Sequence, residues 1–201
     1  PAIQKQDETF LQESLQVYTQ LSHDIVTTTR PVMIVWPEVA VPTRLPLHES
    51  AREALFTVAA DTQTILLVGS LTPAADGKDI NSAFLISPTG DIFGSYQKSQ
   101  LLPFAEHLPW LFHWLDGWWP TAGFTPGVPS PPLLLPGTRF ALAICYEATV
   151  PGFFRQAINN GAEFLVTLTN DAWLGDTSGP EQHLQAAVMR AVELRLIGHT
   201  G

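Results

Sequence analysis

The chemistry in this chain starts from its one thiol. Cys145 is the only cysteine among 201 residues, so no internal disulfide can form. It closes the apolar run Phe140-Ala141-Leu142-Ala143-Ile144 and is followed by Tyr146 and Glu147. A lone cysteine behind an apolar strand is ordinarily a buried structural residue. Here it falls at the C-terminal end of that strand, where α/β sheets place their ligands, with a helix start close behind that favours the thiolate. Two other residues share this setting. Glu38, in Trp36-Pro37-Glu38, follows a second buried strand, and Lys98, in Tyr96-Gln97-Lys98, follows a third. Glu38 reads either as a solvated loop acid or as the base that takes the thiol proton. Lys98 reads either as an edge lysine that blunts strand pairing or as a cation that holds an oxyanion. Ends of strands in one sheet converge in space, and an acid, a cation and a thiol together are the parts of a nucleophilic acyl-transfer site.

The elements that must position these residues alternate. Residues 7–21 predict an amphipathic helix with Phe10, Leu11, Leu15, Tyr18 and Leu21 on one side. Val32 to Trp36 predicts a buried strand. Ser50 and Glu53 have capping-box spacing before the helix formers Ala51 to Ala60. Thr64 to Val68 predicts another strand, and Asn81–Ser87 and Asp91–Gln97 a hairpin around Pro88-Thr89-Gly90. After a break come strand Arg139–Cys145, a helix over 151–160, strand Glu163–Thr169, and a helix from the Ser178/Glu181 pair to about Ile197. Asn170 and Asp171 follow a strand end and read as turn residues at least as well as site residues. The pattern predicts one layered α/β domain over 1–201. Both ends of the sequence read as possible fragment boundaries, with a further strand expected after the last helix.

The break, residues 103–137, holds eight prolines and four of the six tryptophans. A long irregular excursion inside a compact domain is usually functional or mobile. Trp110, Trp114 and Trp118 recur every four residues and form one stripe if helical. That stripe reads as a buried helix face or as an arm resting at a membrane interface, where tryptophan is favoured; its proline-broken flanks and few charges favour the arm.

The totals exclude several classes. The formal net charge of -9 argues against nucleic acid and against simple attraction to anionic lipid. No apolar run approaches the roughly 20 residues of a membrane-spanning helix. The six histidines, at 23, 48, 107, 113, 183 and 199, include no His-x-x-x-His pair, which argues against a metal centre. No cofactor is called for.

Taken in order, Glu38, Lys98 and Cys145 resemble the Glu-Lys-Cys triad of the nitrilase superfamily of carbon–nitrogen hydrolases. Within it, the chain is most similar to the apolipoprotein N-acyltransferase branch. The resemblance is carried by Trp36-Pro37-Glu38, by Tyr96 to Glu106, by Ala143-Ile144-Cys145-Tyr146-Glu147, by Thr169-Asn170-Asp171-Ala172-Trp173-Leu174-Gly175, and by Gly179-Pro180-x-Gln182-His183. It departs from the branch at Gln100 and Ala105, which stand where the family has His and Gly. It departs again at Lys5-Gln6-Asp7, where the family has Lys-Trp-Asp, and at Leu174, where it has Phe. The final Thr-Asn-Thr-Gly strand is shortened to His199-Thr200-Gly201.

The resemblance implies a nitrilase-like αββα sandwich, truncated at both ends. It implies that Cys145 takes an acyl chain from a phospholipid donor and passes it to the N-terminal amine of a diacylglyceryl-cysteine lipoprotein. Supporting roles then fall to Glu106, as an ion-pair partner of Lys98, to Tyr146, along the acyl path, and to Glu147, which orients the site or the incoming amine; each acid also reads as a structural acid that holds a loop. Trp110, Trp114 and Trp118 would touch the membrane. The implied location is the periplasmic side of the bacterial inner membrane. Two rivals remain: a soluble amidase with the same triad, and a non-catalytic binding module.

Overall fold

In the computed structural model the described residues are 2–115, 118, 123–175, 177–194 and 197–200, the side chains of residues 2–7, 113, 115, 173, 174 and 197–200 excepted. The expected stretch Lys5-Gln6-Asp7 therefore has no described side chains, and Trp119 and Pro120 lie outside the described residues. The chain divides into two compact units. One comprises Pro1–Thr72 and Ser82–Tyr96, the other Pro73–Asn81 and Gln97–Thr200.

The first unit is built on a four-stranded sheet of order β1-β2-β3-β4, formed by β1 (Met33–Trp36), β2 (Ile65–Pro73), β3 (Asp79–Ile86) and β4 (Ile92–Gln97). β1 and β2 pair in parallel, Trp36 opposite Val68. The turn between β3 and β4 is closed by Gly90 N–H donating to the Ser87 carbonyl, as the sequence pattern predicts. Two helices, α1 (Ala2–Thr28) and α2 (Glu49–Thr62), bury Leu11, Leu15, Leu55 and Val58 in one cluster with Trp36, Leu66, Val68, Phe84 and Ile86.

α1 is longer than expected, and its buried stripe is different. Leu11, Leu15, Tyr18 and Ser22 face the core, at the i, i+4, i+7, i+11 positions of one helix face. Phe10 and Leu21 fall off that stripe and are each 57% exposed. Ser22 is buried because its hydroxyl oxygen accepts the indole N–H of buried Trp36 at 3.0 Å. The cap of α2 also differs. The helix begins at Glu49, and the ring Nδ1 of His48, not Ser50, accepts the Ala51 N–H at 3.3 Å. Pro46 in the preceding 3-10 turn and the Arg52 guanidinium bonded to its carbonyl set the earlier start.

The second unit carries the sheet β5-β6-β7-β8, from β5 (Leu133–Leu135), β6 (Thr138–Ile144), β7 (Phe164–Leu168) and β8 (Ile197–Thr200). β5 runs antiparallel to β6, while β6, β7 and β8 are parallel. β8 answers the expectation of a strand after the last helix: the residues read as a shortened remnant pair with β7. Along β6, Ala141 and Ala143 face a cluster with Ala148, Phe154, Ala162, Leu165 and Ala191. Such small side chains let α3 (Arg155–Asn159) and α4 (Gly179–Leu194) approach the sheet closely. Phe140, Leu142 and Ile144, on the opposite face, are buried as well, so the strand reads as a continuous apolar run. Phe140 stacks on Phe164 across the register, with ring centroids 5.3 Å apart.

Replacing Ser22 with Ala leaves the buried Trp36 N–H without its acceptor. The expected loss is about 1–3 kcal/mol of unfolding free energy, read from urea denaturation followed by tryptophan fluorescence. An unchanged midpoint would mean that the indole finds another acceptor.

Candidate active site

Cys145 begins a 3-10 turn, Cys145–Thr149, immediately after β6. Its φ is +50°, a left-handed conformation that a residue with a Cβ adopts at a cost of about 1–3 kcal/mol. Such strain is typical of a nucleophile presented at a strand end. The side chain is buried.

What holds this turn is Glu147. It is fully buried, and both oxygens of its carboxylate accept hydrogen bonds. Oε2 takes the Ile144 N–H at 2.9 Å, closing the turn on itself in the manner of a capping-box acid. Oε1 takes the Ser99 N–H at 2.7 Å, the Ser99 hydroxyl at 3.0 Å and the Gln100 N–H at 3.0 Å. One carboxylate thus ties the cysteine turn to the segment that begins at Lys98.

Lys98 is fully buried too, and its Nζ lies 2.8 Å from Glu106 Oε1. Glu106 Oε2 accepts the Leu102 N–H at 2.7 Å, so the acid is fixed at both oxygens. The Lys98 backbone donates to Asn81 and accepts from Gly127 N–H at 2.7 Å. Gly127 is required there: a Cβ on it would stand 2.3 Å from Gln97 Cβ. Tyr146 is half-buried, and its carbonyl accepts the Thr149 hydroxyl at 2.8 Å.

Glu38 belongs to the first unit and is buried just beyond β1. Its loop is pressed against Gly69 of β2, where a Cβ would meet the Pro37 carbonyl oxygen at 2.2 Å and Glu38 Cα at 2.9 Å. Val41 N–H donates to the Gly69 carbonyl at 3.0 Å. Glycine at position 69 therefore sets where Glu38 sits.

The structure also brings together residues that sequence spacing left apart. Cys145 Sγ, a carboxylate oxygen of Asp171 and a ring nitrogen of His183 lie within 4.8 Å of one another. Asp171 Oδ1 accepts the Thr169 hydroxyl at 2.9 Å and meets His183 Nδ1 at 2.8 Å. Thiol, imidazole and carboxylate are also zinc-ligand types, and this is the one such group of three among the described residues. In the sequence Asp171 reads as a turn residue at least as well as a site residue, and His183, though part of the Gly179-Pro180-x-Gln182-His183 motif, carries no assigned role. The available signal was that both lie at the C-terminal end of a strand or the start of the helix after it.

Between Lys98 and β5 the tryptophan segment forms a 3-10 helix, Trp110–Leu115. Trp110, Trp114 and Trp118 are 81%, 76% and 90% exposed, and Leu111 is exposed beside them. These exposures exclude a buried helix face, and a 3-10 helix, at three residues per turn, does not align residues four apart as the expected stripe requires. Among the described residues, no helix is long and apolar enough to cross a membrane.

The carbon–nitrogen hydrolase family model matches residues 6–196. The chain belongs to the carbon–nitrogen hydrolase family. Several curated relatives share a name. The chain is 34% identical over 198 residues to the apolipoprotein N-acyltransferase of Geobacter metallireducens, covering 96% of this chain and 38% of that protein. It is 35% identical over 180 residues to that of Rhizobium meliloti, covering 82% and 33%. To apolipoprotein N-acyltransferase 2 of Treponema denticola it is 32% identical over 215 residues, covering 94% and 39%. The chain thus spans between a third and two fifths of the length of these relatives. Among solved structures, a carbon–nitrogen hydrolase from Helicobacter pylori superposes with a TM-score of 0.72 at 18% identity, covering 94% of this chain and 67% of that one. An amidase from Nesterenkonia sp. superposes with a TM-score of 0.68 at 23% identity, covering 94% and 69%. The fold class is accordingly the nitrilase-like α/β sandwich expected from the motifs.

Glu147→Gln replaces one carboxylate oxygen by an NH2, so either the Ile144 N–H or the Ser99 and Gln100 donors lose their acceptor, and the charge that all of them face is removed. The expected cost is roughly 3 kcal/mol of stability, with faster hydrogen exchange at the Ser99, Gln100 and Ile144 amides. Exchange at wild-type rates would show that the carboxylate is not what holds the turn.

Proposed function

We propose that this chain is the catalytic part of an N-acyltransferase that moves a phospholipid acyl chain, through a thioester on Cys145, to the N-terminal amine of a diacylglyceryl-cysteine lipoprotein. The observation that carries the lipid reading is the exposure of Trp110, Trp114 and Trp118, on the same unit as the cysteine. Three water-facing indoles are a liability without an apolar partner and suit a membrane interface. The shared name of the curated relatives points the same way.

In this reading Glu38 accepts the Cys145 proton and the thiolate attacks the ester carbonyl of the donor. Lys98, steadied by Glu106, and a backbone N–H near Tyr146 hold the oxyanion. Glu38 returns the proton to the departing lysophospholipid alkoxide. The lipoprotein α-amine then attacks the thioester, which gives ping-pong kinetics. Tyr146 lines the acyl path and Glu147 orients the cysteine turn. The enzyme works at the periplasmic face of the bacterial inner membrane. An amidase in the same family would instead discharge the thioester to water.

Incubated with phosphatidylethanolamine in detergent, the protein should gain one acyl mass by intact mass spectrometry, and the gain should reverse when an amine acceptor is added. Cys145→Ala should show none. Glu38→Gln should slow the gain by about 10²–10⁴, and Lys98→Met by about 10²–10³. A folded protein that gains no mass from phospholipid yet hydrolyses small amides would overturn the acyltransferase reading in favour of the amidase.

The exposed tryptophans have their own test. Because the net charge is -9, binding should be seen with zwitterionic phosphatidylcholine vesicles and should weaken as anionic lipid is added. Replacing Trp110, Trp114 and Trp118 together by Ala should abolish co-sedimentation with the zwitterionic vesicles. Equal sedimentation of this variant would assign membrane contact to another surface.

A further inference from the structure

We infer that His183, oriented by Asp171, is a second acid–base group at Cys145, serving the half-reaction in which an amine cleaves the thioester. This rests on the reading of Cys145 as the acylated nucleophile. The placement follows from the topology of the second unit. β6 and β7 are parallel with Ile144 opposite Leu168, so the residues just past them, Cys145 and Thr169 to Asp171, emerge side by side at one sheet edge. α4 packs against both the cysteine turn and the turn Asp171–Leu174, and it delivers His183 to the same spot.

The pair has the form of an oriented base. A carboxylate only accepts, so the 2.8 Å contact puts the hydrogen of a neutral imidazole on Nδ1 and leaves Nε2 with the lone pair. The Thr169 hydroxyl, donating to the same Asp171 oxygen, keeps the carboxylate from turning away. Imidazole is the side chain best matched to proton transfer near neutrality. The side chains of His183 and Asp171 are 22% and 15% exposed, so the pair is not sealed from solvent.

The step balances without a co-reactant. The neutral amine nitrogen attacks the thioester carbonyl carbon, forming C–N. Collapse of the oxyanion breaks C–S and releases sulfur as the thiolate. The surplus N–H proton passes to Nε2, and Asp171 stabilises the resulting imidazolium. That proton then returns to the Cys145 thiolate, restoring the free thiol and the neutral ring.

The test separates the two half-reactions in the 201-residue chain. Cys145 is loaded with p-nitrophenyl butyrate, excess ester is removed, and discharge by S-methyl-cysteine amide is followed by intact mass. His183→Ala should slow amine-dependent discharge by about 100-fold or more, far more than it slows loading, so the acyl-enzyme accumulates. Added imidazole should restore part of the rate. Asp171→Asn should slow discharge less. His183→Gln repeats the comparison should the alanine variant fail to fold. Discharge at the wild-type rate would overturn the inference, as would equal slowing of both halves with no rescue by imidazole. A wild-type chain that loads from the activated ester and discharges through His183, but never loads from phosphatidylethanolamine, keeps this inference and removes the phospholipid donor. A wild-type chain that does not load at all removes both.

Discussion

The buried carboxylate of Glu147 is the constraint on which the second unit's chemistry depends. An acid taken fully out of water is tolerated only when hydrogen bonds replace its hydration. Here three backbone N–H groups and one hydroxyl do so, from residues on both sides of the site. The arrangement works in both directions. The backbone of Ser99 and Gln100 leaves the β4 end without a strand to pair with, and the turn after β6 leaves the Ile144 N–H inside it; all three find one acceptor. The Cys145 turn and the segment that begins at Lys98 are therefore set by one shared carboxylate rather than as two independent loops.

Lys98 poses the complementary problem. A buried ammonium stabilises an oxyanion only if it is held in place and kept charged. The Glu106 carboxylate is itself locked by the Leu102 N–H, so the pair is stiff. Gly127 lies against the Gln97 backbone so closely that no side chain could be placed there. This explains why a segment rich in proline and tryptophan returns to the sheet at a glycine. Within the excursion, Glu106 and Gly127 both contact Lys98, through its side chain and its carbonyl respectively.

The sequence made the strands readable because their apolar runs, hairpin turn and helix starts obey local rules, and three of the chemically suggestive residues lie next to those runs. What it hid is non-local. Glu147 was visible as a neighbour of Cys145, but its bonds to Ser99 and Gln100 cross 48 and 47 residues. His183 and Asp171 meet Cys145 only because β6 and β7 are parallel neighbours and α4 folds back over their ends, which no spacing encodes. On α1 the apolar pattern pointed to Leu21, whereas tertiary contact chose Ser22, because a buried indole N–H needed an acceptor more than the helix needed another leucine. The cap of α2 moved to His48 for a similar reason: the preceding proline turn fixed where the helix could begin.

Cys145 links stability and reactivity in the same few residues. Its left-handed backbone costs free energy that an unstrained turn would not, and the bonds to Glu147 are the visible compensation. Glycine at 145 would relieve the strain and remove the thiol. Relaxing the turn with the thiol retained would let the sulfur swing away from the His183–Asp171 pair that lies within 4.8 Å of it. A sequence free to maximise stability would give up this geometry, so a strained turn clamped by a buried acid accords with the reactive thiol proposed at this strand end.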